Sequence, residues 1–425
     1  MSPESAPFAP RPRKRVRLLA LAGVMLATLL AVELVLRLVR FATPTGIAYL
    51  SDSRVGHRLR PGYRAWYRGE GEAFFTVNSD GMPDRERAKI KPQGTFRIAV
   101  IGDSFTEAMG MPRERRFTAV MERHLTTCSV LGGNVEVLAF GASAYGPAHE
   151  LLAMRTQVWQ YSPDIVLLQL FLPNDLRGSV RELSGSAPAP FFVEVNGEWQ
   201  LDSASHHLPG PKLTGFLASL EGEAYRWLRS LHLIQAVRVA RRMSRLAETS
   251  ALKDTVYGFE PGADWQVFVP PPTTEWERAW RTTEGLLRVI RDEAQAHSAR
   301  LFVVSVPAGI EVHPVAARRE AFLARLGPAA RLEYPGDRVR AIQQRDGIAT
   351  LDLAPPMRSH AERTQEALYG HANAVPGLGH WNAAGHRVAG ETIARWICNK
   401  ALGAGVSDPD LSPGVAARFP APGPS

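Results

Sequence analysis

The stretch VIGDSFTEAMG, residues 100–110, ends one structural pattern and begins another. It continues a short apolar run, Phe96, Ile98, Ala99 and Val100, that reads as a buried strand. The run breaks at Gly102-Asp103-Ser104, and a helical pattern follows. A serine at a strand-to-helix junction has two readings. It caps the helix, or it is a nucleophile held out at the edge of a sheet.

Outward from this junction the chain alternates. Strand-like runs stand at 97–101, 135–140, 164–171, 301–306 and 348–353, with helical patterns at about 114–127, 147–160, 275–297, 316–326, 336–345 and 383–399. Most of these strands are continuous apolar runs, as a parallel sheet covered on both faces requires. The alternation predicts a doubly wound α/β domain. Before it, residues 41–95 form a polar extension rich in glycine and aromatics, expected to pack on the catalytic domain; Phe74, Phe75 and Val77 read as a strand there. The domain itself is set at 96–403, with an insert at 176–275 where the alternation stops. The insert holds a hairpin expected at 191–201, turning at Asn196-Gly197, and a basic amphipathic helix expected around Trp227 to Leu246. Such an excursion reads as a substrate-binding element. The tail 404–425 reads as disordered.

In an open parallel sheet, ligands bind beyond the carboxyl ends of the strands. Ser104 follows the first strand, Gly141 the second and Asn174 the third, and His380 lies beyond the fifth. This set suits acyl transfer. A serine hydroxyl needs a base, and histidine takes its proton near neutral pH. The negative charge that develops on a carbonyl oxygen needs donors already aimed at it; the Ser104 and Gly141 backbone N–H groups and the Asn174 amide are the candidates.

Gly102-Asp103-Ser104, Gly141, Asn174-Asp175 and His380 resemble, in order and spacing, the four sequence blocks of the SGNH (GDSL) hydrolase family. VNSDGM at 77–82 and HWNAAGH at 380–386 narrow the resemblance to its bacterial membrane-anchored members. The resemblance implies a flavodoxin-like three-layer α/β/α fold with a five-stranded parallel sheet, Ser104 as nucleophile and His380 as base, with no cofactor and no metal. One position departs from it. The family usually carries an aspartate two or three residues before the histidine; here Gly377 and Leu378 stand there, and no carboxylate lies between Glu366 and His380. Asp352, at the end of the fifth strand, or a backbone carbonyl is the expected substitute. Asp103 and Asp175 read as structural, and His386 as a packing or capping residue. With strand order 2-1-3-4-5, the first and last helices lie side by side, so Cys128 and Cys398 are expected to form a disulfide.

The chain has 425 residues and a formal charge of +8. Five of those charges fall in the first forty residues, where Arg11, Arg13, Lys14, Arg15, Arg17, Arg37 and Arg40 outweigh Glu4 and Glu33. No basic stripe elsewhere marks a nucleic-acid surface. Residues 18–39 open with fifteen uncharged positions, and at about 1.5 Å per residue the segment is long enough to cross a bilayer. Read as an uncleaved anchor, the segment with its basic tail 1–17 places the N-terminus in the cytoplasm and the remainder outside; a cleaved signal peptide is the alternative. The expected partners are therefore the membrane and an acyl ester, with a cell-envelope or exported glycan ester as the substrate class. Three other readings use the same residues: an O-acyltransferase, a lipase at the membrane surface, and an inactive binding protein of the same fold.

Overall fold

The computed structural model describes residues 14–39, 48–184, 189–202, 231–237, 240–241, 263–374 and 377–402. The tail 404–425, and the parts of the basic tail, of the insert and of the expected helix at 227–246 not covered by these ranges, lie outside the described residues. Five parallel strands form the central sheet: β1 (Phe96–Gly102), β2 (Val135–Gly141), β3 (Ile165–Leu170), β4 (Arg300–Ser305) and β5 (Ala349–Asp352). Their order across the sheet is β2-β1-β3-β4-β5. Each lies within two residues of the run expected from the apolar pattern.

Successive side chains of a strand point to opposite faces, and here both faces are buried. Ile98 and Val100 of β1 pack with Phe117 and Met121 of α3 (Phe117–Leu125) and with Ile393 and Ile397 of α7 (Ala383–Leu402). Ala99 and Ile101 face the other way. They meet Leu151 and Met154 of α4 (Pro147–Thr156), and Leu286 and Ile290 of α6 (Thr274–Ala296). The result is a three-layer α/β/α domain. The residues at 48–82 belong to this second core: Ala48, Val55, Leu59, Tyr63, Phe75, Val77 and Met82 are buried in it. They form two antiparallel ribbons, Tyr49–Asp52 with Gly56–Leu59 and Arg64–Tyr67 with Ala73–Thr76. Only the last of these four strands is legible in the sequence, because the others are short and half polar.

The hairpin Phe192–Val195/Glu198–Leu201 turns at Asn196 and Gly197, both at positive φ (52° and 83°), as a tight two-residue hairpin requires. A helix at Ala354–Thr364 is hidden in the sequence by Pro355 and Pro356; both prolines occupy its first turn, where no backbone donor is lost. At the N-terminus α1 (Lys14–Val39) is a single helix. Its stretch Val16–Val39 has a mean hydropathy of 2.4 and none of it is buried against the protein, so it is long and apolar enough to cross a membrane.

Cys128 and Cys398 are joined in a disulfide, 270 residues apart in sequence. It ties the region after α3 to the end of α7, on the side of the sheet away from the strands' carboxyl ends. Because the loop it closes is long, the double substitution Cys128→Ser/Cys398→Ser is expected to lower stability by about 2–4 kcal/mol. Urea unfolding of the two proteins checks this; a difference below about 0.5 kcal/mol would mean that the bond carries no such constraint.

Candidate active site

The end of β1 explains the opening serine. Gly102 leaves no room for a Cβ, because the Gln169 side chain lies against it. The Gln169 Oε1 accepts hydrogen bonds from the Asp103 N–H (3.3 Å) and the Thr106 hydroxyl (2.9 Å). The next residue, Asp103, is the helix cap: its Oδ1 accepts the Phe105 N–H at 2.9 Å. Ser104 is therefore relieved of capping and becomes the first residue of the one-turn helix α2 (Ser104–Glu107). Its hydroxyl meets the His380 Nε2 at 2.7 Å.

His380 arrives on the return from the last crossover. Tyr369 and Trp381 pair as a β-bridge, and the Gly370 N–H donates to the His380 carbonyl at 3.0 Å, which fixes the backbone. Beneath the imidazole lies the Phe105 ring, 4.9 Å between centroids, itself packed on the buried Trp381. The other imidazole nitrogen, Nδ1, is 2.7 Å from Glu70 Oε2, and the second oxygen of Glu70 accepts the His380 backbone N–H at 2.6 Å. With Nδ1–H donating to a carboxylate, Nε2 carries the lone pair that takes a serine proton. Glu70, His380 and Ser104 thus stand in one hydrogen-bonded line, the arrangement a serine triad requires.

Asp352, the expected orienting acid, is engaged elsewhere. That side chain accepts the Ala354 N–H at 3.0 Å and lies 3.6 Å from the Arg340 guanidinium, at the edge strand β5. Burial pushes its carboxyl above the usual range. Glu70 instead comes from the turn of the ribbon Arg64–Tyr67/Ala73–Thr76, 310 residues before the histidine. Two glycines make the seat. A Cβ at Gly110 would collide with the Glu70 carbonyl, and one at Gly379, at φ 83°, with its carboxylate. The only sequence signal was a carboxylate between two glycines, Gly69-Glu70-Gly71, in a region with no strand pattern strong enough to place it.

Asn174 sits in α5 (Leu172–Gly178), and its Nδ2 donates to Asp103 Oδ2 at 3.0 Å. The residue before Ser104 thereby holds the amide expected to serve the oxyanion. Asp103 is fully buried, and burial raises its carboxyl against the hydrogen bonds from Asn174 and Phe105. Asp175 is structural: its Oδ2 accepts the Phe171 N–H at 2.6 Å. Gly141 departs from its expected role. It pairs with Gly102, and the following Ala142 N–H donates to the Gly102 carbonyl at 3.3 Å. Alternation along an extended strand directs the Gly141 N–H away from β1 and so from Ser104. The glycine is needed for another reason, since a Cβ there would meet Thr106 and the Glu107 backbone of α2.

His386 is buried, accepts the Phe117 N–H on Nδ1 at 3.2 Å and stacks on the Phe117 ring. Burial holds it well below the ordinary imidazole value, so it packs and caps as expected. A narrow cleft of about 50 Å³ opens at Ser104, with Tyr67, Glu107, Met109, Ser143 and His371 among its walls. Among the described residues no group of three or more histidines, cysteines and acids is arranged to hold a metal ion.

No family model matches the chain, and no curated protein matches it. Solved structures similar to it include an acetyl xylan esterase, AlAXEase (11% identical, covering 71% of this chain and 98% of that one, TM-score 0.35). Another is TesA (12% identical, 72% and 99%, TM-score 0.35). A third is a catalytic mutant of an acetylxylan esterase from Geobacillus stearothermophilus (13% identical, 73% and 96%, TM-score 0.36). At these scores the likeness carries no argument about activity, which rests on the side chains.

Glu70→Gln tests the triad. It is expected to lower kcat on a simple ester by about 10²- to 10⁴-fold, the upper figure being the cost of a wrong imidazole tautomer in a serine protease. Asp352→Asn is expected to leave kcat within about twofold of the parent. The reverse ranking of the two variants would return the role to Asp352.

Proposed function

We propose that this chain is a membrane-anchored serine esterase working outside the cytoplasm on a short-chain acyl ester, with an envelope or exported glycan ester as its substrate class. The observation that carries the reading is the unbroken chain from Glu70 through His380 to the Ser104 hydroxyl, with 2.7 Å at each step. In this reading Ser104 Oγ attacks the carbonyl carbon while its proton passes to His380 Nε2, and the carbonyl π pair moves onto oxygen. The Ser104 N–H and the Asn174 amide stabilise that oxyanion. As the carbonyl reforms, the ester C–O bond breaks, the departing alcohol takes the proton from His380, and an acyl-enzyme remains. Water, deprotonated by His380, then attacks the acyl carbon and Ser104 leaves with the proton.

The narrow cleft favours a short acyl group over a lipid chain. An extracytoplasmic site is supported by the basic residues Arg11 to Arg17 ahead of the apolar helix and by the Cys128–Cys398 disulfide, a bond suited to an oxidising compartment. The missing aspartate before His380 is the feature that favours an inactive binding protein, and Glu70 supplies that acid. An O-acyltransferase would use the same residues with a glycan hydroxyl in place of water.

Fluorophosphonate labelling of the full chain in detergent tests the reading. The parent is expected to label, Ser104→Ala not at all, and His380→Ala at least about 10²-fold more slowly. A folded parent that takes no label would overturn it. If the chain is a transferase, added glycan acceptor will capture the acyl group in competition with water.

A further inference from the structure

The helix α1 carries a single acid, Glu33, six residues before its end at Val39. At about 1.5 Å per residue, the carboxylate stands about 9 Å inside the end of the apolar stretch Val16–Val39. An ionised group at that depth is costly unless it is paired, and its partner marks a functional contact. Glu33 is paired. Its Oε1 accepts the Arg37 Nε–H at 2.8 Å, one turn further along the same helix. Both oxygens also reach beyond the helix. Oε1 accepts the His232 N–H at 3.0 Å and Oε2 accepts the Leu233 N–H at 2.9 Å, from 199 and 200 residues away in sequence. With these partners around it, the Glu33 side chain is only 12% exposed.

His232 and Leu233 belong to a helical segment, residues 232–237, in the middle of the long insert. Its apolar side chains are on the wrong side for water. Leu231, Leu233, Ile234 and Ala236 are only half-buried and Val237 is 44% exposed, whereas the polar Gln235 is the buried residue. A helix packed on a protein in water shows the reverse, apolar residues inward and polar residues outward. The span shows where the two meet. Every residue of Val16–Val39 is exposed except Glu33 and Leu36, which share one helix face three residues apart. The face by which α1 meets the rest of the described chain is therefore centred on Glu33.

We propose that residues 231–237 lie in the outer leaflet beside α1, as a second membrane-contacting element with lipid acyl chains as its partner, and that Glu33 holds them there. The inference rests on the membrane-anchored reading. If α1 crosses the bilayer, the groups that donate to Glu33 lie at its depth. About 9 Å inside the end of a span is where an interfacial helix buries its apolar face. Lipid suits Leu233, Ile234 and Val237 because the contact at Glu33 makes them continuous with the exposed Leu34, Val35 and Leu38 of the span. The middle of the insert, expected from sequence to shape the substrate site, is thereby fixed at the bilayer. The same contact gives α1 a partner in the folded chain, which a signal peptide removed after export does not need.

The test uses the full chain in phosphatidylcholine nanodiscs. Val237→Cys supplies a thiol for a nitrobenzoxadiazole label, since Cys128 and Cys398 are joined to each other. The label is expected to be quenched by lipid that carries a doxyl group near its headgroup and to be shielded from aqueous iodide. Glu33→Leu keeps the span apolar and removes the acceptor of both N–H groups. It is expected to shift the segment from lipid toward water by about 10- to 100-fold, read as doxyl quenching lost and iodide quenching gained. Glu33→Gln keeps one acceptor oxygen and is expected to fall between. A label quenched by iodide and not by doxyl lipid overturns the proposal, as does doxyl quenching unchanged in Glu33→Leu. If the Val237→Cys protein does not fold, the label at Ile234→Cys decides by the same criterion. The mass of the chain recovered from membranes keeps the two readings apart. Loss of α1 removes the anchored reading itself, whereas an intact chain with its label in water overturns only the docking of residues 231–237.

Discussion

Both oxygens of the Glu70 carboxylate are committed to His380, one to the ring and one to the backbone N–H. A single carboxylate thus fixes the position of the loop and the tautomer of the imidazole, and the Ser104 hydroxyl is addressed by the nitrogen left over. Much of the surrounding structure follows from seating this one group. Gly110 and Gly379 are bare because Glu70 occupies the space of their side chains. The ribbon that carries it packs through Phe75 into the same core as Leu138 and Phe140 of the sheet. The extension between the apolar helix and the α/β domain therefore contributes to the candidate site, and a chain cut at β1 would lack Glu70.

The sheet supplies the rigidity that such positioning needs. Both faces of β1 are buried, so the strand cannot slip by one residue without turning apolar side chains into the wrong layer. Its end is where register stops and the tight turn begins, and Asp103 makes that turn by capping α2 and holding Asn174. Ser104, the cap Asp103 and the Asn174 amide are consequently set by one strand end. On the side away from the strands' carboxyl ends, the Cys128–Cys398 bond keeps the first and last helices of the domain in contact.

The polar groups behind the site are unusually dry. Asp103, Glu107, Glu150 and Asp175 are all buried, and burial raises the carboxyl of each. His149, stacked on Tyr145 near His57, is pushed down to about 3 and stays neutral at physiological pH. A low-dielectric surround strengthens the hydrogen bonds that are made and penalises those that are not. In this surround Ser143 is held at its nitrogen, its hydroxyl and its carbonyl.

The sequence by itself determined the five strands and the layers that cover them, because continuous apolar runs separated by helical periods require a parallel sheet buried on both faces; the order of the strands came from the resemblance. It also singled out Ser104, His380 and Asn174 as candidates, since each follows a strand or a local motif that short-range physics can read. The tertiary structure decided the rest. Glu70 reaches His380 across 310 residues from a turn between two short strands, a contact that no local pattern encodes. Asp352 has the better sequence position, but its strand lies at the sheet edge, where Arg340 and its own chain take it. Gly141 has the expected residue type, yet a one-residue shift in a strand reverses the direction of an N–H, and only the observed register shows which way it points. Local sequence fixes what an element is; which groups meet at its end depends on how distant segments pack.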